Sequence, residues 1–247
     1  MDEIVSRLAP ALSPQSIMLF GSYSHGQPTA GSDIDIMIIL AGDGKPRWEL
    51  VRRGWDCLRG LGLPIELHFN SQDRFLQRSL VPGSFEHEVA RTARLVYGSP
   101  LPDVGASEAG SSPVKAEIVR EWLEKAQNER QTARLALEAP RPLTAIAGFH
   151  ARQAGEQCLR ALAQWHEIAV PKMHDLGALL DLCTFRAPAM RESREVRDEL
   201  RALSTYDETV LYPPAREPSV QDAQSALATA DRLCENVLKH LPREVQP

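Results

Sequence analysis

The sequence predicts two consecutive structural units, an α+β unit with a mixed sheet flanked by helices and then an all-α helical bundle. Short apolar runs alternate with a helical pattern before residue 98, whereas apolar residues recur at helical spacing after residue 114. A segment rich in Gly, Ser and Pro separates the two patterns. We therefore expect domains at 1–98 and 114–242, joined by a linker at 99–113.

The composition is that of a globular protein. The chain has 247 residues, of which 43% are hydrophobic and 25% charged, so a sizeable core is possible. A net charge of -5 gives no general attraction for nucleic acid or anionic membranes. No apolar stretch approaches the roughly 18 residues that cross a bilayer, and the first residues lack a signal-peptide pattern. We expect a cytoplasmic protein without a membrane partner.

Four cysteines are far apart in the sequence and do not form Cys-x-x-Cys pairs. They are Cys57, Cys158, Cys183 and Cys234, each among apolar neighbours. Free cysteine behaves as a small apolar residue, so we expect buried free thiols in a reducing compartment.

Three strands and one helix are predicted in the first unit. The strands are "SIMLF" (Ser16–Phe20), "IDIMIIL" (Ile34–Leu40) and "PIELHFN" (Pro64–Asn70), and a helical pattern covers residues 47–61. Alternation between strands and a helix favours an α+β arrangement.

Two aspartates stand at the beginning of the second strand. Because strand side chains alternate between faces, Asp33 and Asp35 are expected on the same face. Glu66 lies on the next strand and joins them if the two strands are neighbours. Carboxylates arranged in this way can share a hard divalent cation such as Mg²⁺. This pattern predicts a metal site that would neutralise and align a triphosphate.

A Gly-Ser pair follows the first strand directly. Gly21 lets the backbone approach a ligand closely, and Ser22 offers a hydroxyl donor. A strand that turns into a helix at such a pair directs free N–H groups outward, which is typical of an anion site.

The Gly-Ser pair, the "DID" that follows ten residues later and the acidic residue on a later strand together resemble the polymerase-beta-like nucleotidyltransferases. The similarity covers roughly residues 1–98 and is closest to the minimal nucleotidyltransferase branch. It implies that Asp33, Asp35 and Glu66 bind Mg²⁺ or Mn²⁺ and form the catalytic set. It also implies that Gly21 and Ser22 hold ATP or another nucleoside triphosphate.

Two more residues enter the expected nucleotide site. Many relatives have Arg shortly after Gly-Ser, where this chain has His25, a weaker and pH-dependent cation. Ser32, directly before the first aspartate, is the other candidate.

The second unit shows two clear helical stripes of small and apolar residues. One contains Ala147, Ala151, Ala154, Cys158, Ala161 and Trp165; the other contains Val220, Ala223, Leu227, Ala230, Cys234, Val237 and Leu241. Helices are also predicted over residues 116–138 and 189–205, giving a bundle of four or five. Ser219 is the expected N-cap of the last helix.

Residues 114–242 resemble the HEPN family of helical bundles. The similarity rests on "HARQAGE", which includes His150, Gln153 and Glu156, followed by "MHDL" with His174 and Asp175. From the residues alone, Asp175 is a helix cap, and His150 and Gln153 share a face that is either a polar seam or a ligand surface. The resemblance implies dimerisation, and we expect a homodimer formed through this unit.

Many HEPN proteins are ribonucleases with an Arg-x4-6-His motif. Arg160 and His166 have the spacing, but six residues place their side chains about 120° apart on a helix. The expected region is "RALSTY", Arg201 to Tyr206, in which Tyr stands where His is required. Tyr is a poor acid or base near neutral pH, so we expect the ribonuclease activity to be absent or impaired.

The leading hypothesis is a metal-dependent nucleotidyltransferase that moves a nucleoside monophosphate, AMP above all, from a triphosphate to an acceptor. The acceptor is a protein, an RNA or a small hydroxylated molecule, and the second domain binds it or forms the dimer. The alternatives are a HEPN ribonuclease of the toxin–antitoxin type, an aminoglycoside-type nucleotidyltransferase, and a non-catalytic nucleotide-sensing module.

Overall fold

The computed structural model describes residues 1–29, 31–42, 47–102, 108–171, 173–190, 194–213 and 217–246. The chain divides into two units, Met1–Ser111 and Ser112–Pro247. Each unit has its own hydrophobic core, and each is described separately below.

The first unit is an α+β domain. Its elements are α1 (Asp2–Leu12), β1 (Ser16–Phe20), α2 (Gly21–Ser24), β2 (Ile34–Leu40), α3 (Arg47–Leu58), β3 (Ile65–Ser71), α4 (Gln72–Ser79), α5 (Phe85–Thr92) and β4 (Arg94–Gly98). The strand order is β3-β2-β1-β4; β2 and β3 are parallel, and the other two pairs are antiparallel. The predicted mixed sheet is confirmed.

Both faces of the sheet are covered by helices. Ile36 and Ile38 of β2 point to a core shared with α1 and α3, which contribute Leu8 and Leu50 among others. On the other face, Met37 and Ile39 pack with side chains of α4 and α5. All seven residues of β2 are buried, which explains why this strand is a continuous apolar run apart from one aspartate.

Four elements of the first unit were not predicted: α1, α4, α5 and β4. The helices α4 and α5 have eight residues each, which is too short for a clear helical period. The edge strand β4 is largely exposed and lacks an alternating pattern. These elements form because they pack on strands that the sequence did reveal.

The second unit contains five α-helices in the part of the chain that the structure describes. They are α6 (Glu108–Glu138), α7 (Thr144–Trp165), α8 (Leu176–Arg186), α9 (Arg194–Ser204) and α10 (Val220–Lys239). The predicted helical bundle is confirmed, and so are the predicted N-caps of α8 and α10, Asp175 and Ser219. Ser219 forms a capping box with Asp222, and Asp175 accepts a hydrogen bond from the backbone N–H of Ala178 at 2.7 Å.

The helix α6 begins earlier than expected. Its first residue is Glu108, so the last part of the segment predicted as a linker, 108–113, is helical.

The prediction of four free thiols was wrong for two cysteines. Cys158 on α7 and Cys234 on α10 form a disulfide, with their Cα atoms 5.5 Å apart. The small residues along both helices allow the backbones to approach this closely, as the fully buried Ala154 and Ala230 illustrate. Cys57 and Cys183 are free, and burial raises the pKa of the Cys183 thiol to about 12.

None of the helices in the described ranges is both long and apolar enough to span a bilayer.

The disulfide is expected to stabilise the second unit. It closes a loop with a sequence separation of 76, and loops of this size are stabilised by about 2–4 kcal/mol when cross-linked. Reductant should therefore lower the midpoint of urea unfolding of this unit, measured by circular dichroism. The Cys158→Ala/Cys234→Ala protein should unfold at the lower midpoint with or without reductant. If the urea midpoint of the wild-type protein were the same with and without reductant, the disulfide between Cys158 and Cys234 would be contradicted.

Candidate functional site

Parallel pairing of β2 with β3 brings two carboxylates together. Asp35 is directly opposite Glu66 in this register, and Phe20 of β1 is opposite Asp35 on its other side. Residues that are opposite each other on neighbouring strands share a face. Asp35 is only 3% exposed, whereas the Glu66 side chain is 55% exposed. One carboxylate is therefore fixed within the sheet, and the other reaches solvent.

His68 joins this pair, and the sequence analysis did not single it out. It lies two residues after Glu66 on the same face of β3, with its Nε2 3.2 Å from Glu66 Oε1. The ligand atoms of Asp35, Glu66 and His68 all lie within 4.8 Å of one another. The alternation "E-L-H" on β3 was the signal that could have revealed it.

Aromatic rings hold the His68 imidazole in place. Its ring centroid is 5.2 Å from that of Phe20 and 5.1 Å from that of Phe85. Phe85 is the first residue of α5, which begins at the N-cap Ser84; the Ser84 hydroxyl donates to the Arg78 carbonyl at 2.7 Å. The start of α5 is thus tied to the end of α4, and this fixes the phenyl ring against the imidazole.

A buried polar group continues the same row of β3. Asn70 donates from its amide to Glu86 Oε1 at 3.1 Å, and Arg78 Nε lies 3.1 Å from the same oxygen. Glu86 and Arg78 are both buried. The ion pair joins α5 to α4, and the Asn70 hydrogen bond joins α5 to β3 on the face that carries the carboxylates and the imidazole.

Gly21 is required by the position of Asp35. It has a left-handed φ of 69°, and a Cβ atom at this residue would overlap Asp35 Oδ2. Glycine is the residue type that accepts both conditions. The backbone at the end of β1 therefore passes directly over the buried carboxylate.

The turn after β1 is held by its own side chains. The Ser24 hydroxyl donates to the Gly21 carbonyl at 2.8 Å, and His25 Nδ1 is 2.7 Å from the same oxygen. Since a carbonyl only accepts, Nδ1 carries the proton and Nε2 is left for another partner. Ser22 is half-buried in this turn. Ser32 Oγ accepts from the Thr29 backbone N–H at 2.8 Å, so it closes the next loop.

Asp33 does not join the group formed by Asp35, Glu66 and His68. It lies one residue before β2, is exposed, and does not belong to the donor atoms within 4.8 Å. Side chains alternate between faces only within a strand, and β2 begins at Ile34, one residue after Asp33.

The second unit has a separate charged network centred on Glu156 of α7. Arg152 and Arg160 donate to opposite oxygens of this carboxylate, each at 2.8 Å. Arg152 also donates to the His174 carbonyl at 3.3 Å, which ties α7 to the turn before α8. The two sequence pieces "HARQAGE" and "MHDL" are therefore parts of one structural connection.

Comparison with known families identifies both units. A model of the nucleotidyltransferase domain matches residues 1–89, and a model of the HEPN domain matches residues 119–241. The chain is a fusion of a nucleotidyltransferase domain with a HEPN domain. A search of the curated proteins found no match.

Two solved structures are similar to this nucleotidyltransferase–HEPN protein. TT1696 from Thermus thermophilus is 23% identical with a TM-score of 0.42, and the match covers 50% of this chain and 98% of that one. A nucleotidyltransferase-like protein from Exiguobacterium sibiricum 255-15 is 12% identical with a TM-score of 0.41. The match covers 95% of this chain and 73% of that one.

Residues of the HEPN domain that the sequence marked as polar are engaged in internal contacts. His150 on α7 pairs through Nδ1 with Glu129 Oε2 on α6. Gln153 accepts from Arg152 at 2.7 Å. These contacts fit the polar-seam interpretation of the shared face.

Tyr206 and His166, the two residues considered for a ribonuclease motif, are both partly buried in the HEPN domain. The Tyr206 ring lies against Gly148, where a Cβ would overlap it, and burial followed by the nearby Asp222 raises the pKa of Tyr206. A tyrosine with a raised pKa is an even poorer acid or base near pH 7. Burial and then the Lys115 charge lower the pKa of His166.

The donor set of the nucleotidyltransferase domain fits a divalent cation. Ligand atoms around one Mg²⁺ or Mn²⁺ stand about 3–4 Å apart, given metal–oxygen distances of about 2.1 Å. The spread of up to 4.8 Å among Asp35, Glu66 and His68 needs only small side-chain movements to close around an ion. Two carboxylates and one imidazole also suit Mn²⁺ or Zn²⁺.

Replacing Gly21 by Ala should disrupt the group without unfolding the domain. The new methyl group displaces the Asp35 carboxylate, and Mn²⁺ affinity should fall by about 10–100-fold. Gly26→Ala is the matched control, because Gly26 has a φ of 70° but open space around it. Both variants should lose about 1–2 kcal/mol of stability from the left-handed backbone. Electron paramagnetic resonance of Mn²⁺ measures the binding, and equal affinity in the two variants would contradict the overlap.

Proposed function

We propose that this protein is a metal-dependent nucleotidyltransferase that transfers a nucleoside monophosphate, AMP above all, from a triphosphate to an acceptor. The observation that carries the proposal is the direct opposition of Asp35 and Glu66 beneath the Gly21 turn. The match of residues 1–89 to the nucleotidyltransferase domain supports the same chemistry.

Each residue has a proposed role in the reaction. Asp35, Glu66 and His68 would hold a divalent cation, which neutralises the triphosphate and aligns it for attack. Glu66 is exposed, so its carboxylate can also accept the proton of the acceptor hydroxyl. Asp33 is proposed to contact the ion or nucleotide from the open side of the group.

The turn after β1 is the proposed phosphate cradle. The Ser22 hydroxyl and the backbone N–H groups of Gly21 and Ser22 donate to the β- and γ-phosphates. In its doubly protonated form, His25 donates from Nε2 to the phosphates, since Nδ1 donates to the Gly21 carbonyl. Ser32 completes the nucleotide-binding set.

The transfer is a single displacement at the α-phosphorus. The acceptor hydroxyl oxygen forms a bond to the α-phosphorus as the bond to the bridging oxygen breaks. Pyrophosphate leaves with the electron pair of that bond, and the hydroxyl proton passes to a carboxylate or to water. The product is a nucleoside monophosphate diester of the acceptor.

The HEPN domain is proposed to select the acceptor or to form a homodimer. The acceptor is a protein, an RNA or a small hydroxylated molecule. Within the HEPN domain, His150 and Tyr206 make internal contacts, which favours these two roles over cleavage of RNA. Light scattering should give a mass of twice 27.4 kDa if the homodimer forms. The mass of a monomer would contradict the homodimer and leave acceptor selection as the proposed role of the domain.

Transfer of label from α-phosphate-labelled ATP tests the function directly. The protein is incubated with Mg²⁺ or Mn²⁺, first alone and then with RNA, an aminoglycoside panel or cell extract. Label should move to one acceptor class, and Asp35→Ala/Glu66→Ala should reduce the rate by at least about 100-fold, as expected when the charge-stabilising groups are removed.

The control for this experiment is Glu88→Ala, which removes a half-buried carboxylate of α5 that is not one of the three proposed metal ligands. It should transfer label at the wild-type rate. Nucleotide binding without transfer to any acceptor would instead favour the nucleotide-sensing module. Cleavage of RNA would favour the ribonuclease.

His68 should make the cation site favour Mn²⁺ over Mg²⁺. Mg²⁺ strongly prefers oxygen ligands, whereas Mn²⁺ accepts an imidazole nitrogen more readily. His68→Ala should weaken Mn²⁺ binding by at least about 10-fold and change Mg²⁺ binding much less, as measured by calorimetry. His87→Ala is the control, because the His87 ring contacts the Ser79 carbonyl instead. Equal losses for both ions would show that His68 is not a ligand.

A further inference from the structure

In the part of the chain that the structure describes, the outer edge of β3 is not paired with another strand. β3 is the last strand of the sheet, and its one neighbour in the sheet is β2. An edge strand presents a row of backbone N–H and C=O groups to which a further extended chain can bond. This edge is one strand away from Asp35 and carries Glu66 itself.

The hydrogen bonds between β2 and β3 show which backbone groups point to the outer edge. The Ile34 N–H donates to the Pro64 carbonyl at 2.7 Å. In a parallel pair every second residue bonds to the neighbouring strand, so Glu66 and the other even-numbered residues of β3 face β2. The odd-numbered residues direct their N–H and C=O groups away from the sheet; they are Ile65, Leu67 and Phe69. Among the described residues, these three form no backbone hydrogen bond outside the sheet.

The two edges of the sheet differ in the features that prevent strand addition. The edge strand β4 has five residues, a register shift opposite Ile17 and Met18, and an exposed Arg94. Bulges and charged side chains on an edge discourage pairing with another chain. β3 has seven residues, and its register with β2 is unbroken from Ile65 to Ser71. The edge of β3 is therefore the one that can accept a further strand.

A strand added to this edge would place one of its side chains beside Glu66. Neighbouring strands lie about 4.8 Å apart, and residues opposite each other share a face of the sheet. The backbone groups of Glu66 face β2, so an antiparallel strand meets this residue as a non-hydrogen-bonded pair, in which the side chains approach most closely. Because the Glu66 side chain is 55% exposed, its carboxylate is accessible to the side chain opposite it.

The chemistry of the edge favours a polypeptide over the other possible acceptors. Its donors and acceptors repeat every two residues, or about 6.7 Å, which is the repeat of another extended polypeptide backbone. An RNA backbone has no N–H donors, and the exposed carboxylates of Asp33 and Glu66 repel its phosphates. A small hydroxylated molecule is too short to bond along the row.

We propose that the acceptor is an extended polypeptide that adds to β3 as an antiparallel strand and presents a serine or threonine hydroxyl opposite Glu66. This role rests on the nucleotidyl transfer proposed above. The hydroxyl oxygen forms a bond to the α-phosphorus while the bond from that phosphorus to the bridging oxygen breaks. Pyrophosphate leaves with the electron pair of the broken bond, and the hydroxyl proton passes to the Glu66 carboxylate.

Peptides with a methylated backbone test the mode of binding. Short peptides with a central serine and randomised flanks are incubated with the full chain, Mn²⁺ and α-phosphate-labelled ATP. Sequences that take label are made again with N-methyl groups on the two residues that flank the serine. Labelling should then be at least about 10-fold slower, because the flanking N–H groups donate to β3. N-methylation of the serine itself is the matched control and should have little effect, since that N–H points away from β3.

Hydrogen exchange followed by NMR tests the edge without any transfer. In the full chain alone, the Leu67 amide should exchange faster than those of Glu66 and His68, which are bonded to β2. A peptide that takes label should slow exchange at Leu67 by at least about 10-fold and leave the amides of β4 unchanged. A Leu67 amide that is already as protected as its two neighbours would overturn the proposal.

The outcomes separate a wrong acceptor from a wrong function. Equal labelling of the two methylated forms would show that the peptide does not pair with β3. Label on RNA or an aminoglycoside but on no peptide would also overturn strand addition, while nucleotidyl transfer would stand. If no acceptor takes label, nucleotidyl transfer itself is overturned, and this role of β3 with it.

Discussion

The parallel pairing of β2 with β3 is the constraint on which the candidate site depends. Its register places Asp35 opposite Glu66 and Met37 opposite His68, so one face carries both the polar group and the apolar contacts that support it. A shift of one residue would turn every side chain of β3 to the opposite face. The apolar side chains of β3, Ile65, Leu67 and Phe69, pack in the core shared with α1 and α3 and would be turned out of it by such a shift, so the core fixes the geometry of the polar group.

Burial gives the two carboxylates different properties. Asp35 is enclosed by neighbouring strands and by the Gly21 turn, where a carboxylate is costly unless it is paired. Glu66 extends into solvent and can move. An ion that bridges the two would offset the cost of the buried charge, while the exposed carboxylate could still adjust to a substrate. The imidazole of His68, held between Phe20 and Phe85, adds a nitrogen ligand atom and no further negative charge.

In the HEPN domain, the close packing of two helices determines the geometry, rather than the register of two strands. Small residues on α7 and α10 let the two helices approach until Cys158 and Cys234 are bonded. Within the same domain, Glu156 receives two arginines, and one of them continues to the turn before α8. These contacts join α7 to the turn before α8, so polar side chains as well as the disulfide fix the packing of the domain.

The sequence by itself determined the two units, the strands of the sheet that are buried on both faces and the long helices. Buried strands and amphipathic helices leave periodic apolar patterns, so β2, α7 and α10 were evident. It also pointed to Gly21, Asp35 and Glu66, because charge and glycine stand out beside an apolar run. Only the tertiary structure decided that His68 joins the carboxylates, that Asp33 stays outside and that two cysteines are bonded. Those relations depend on strand register, on where β2 begins and on the distance between helices, all of which arise from contacts between residues far apart in the chain.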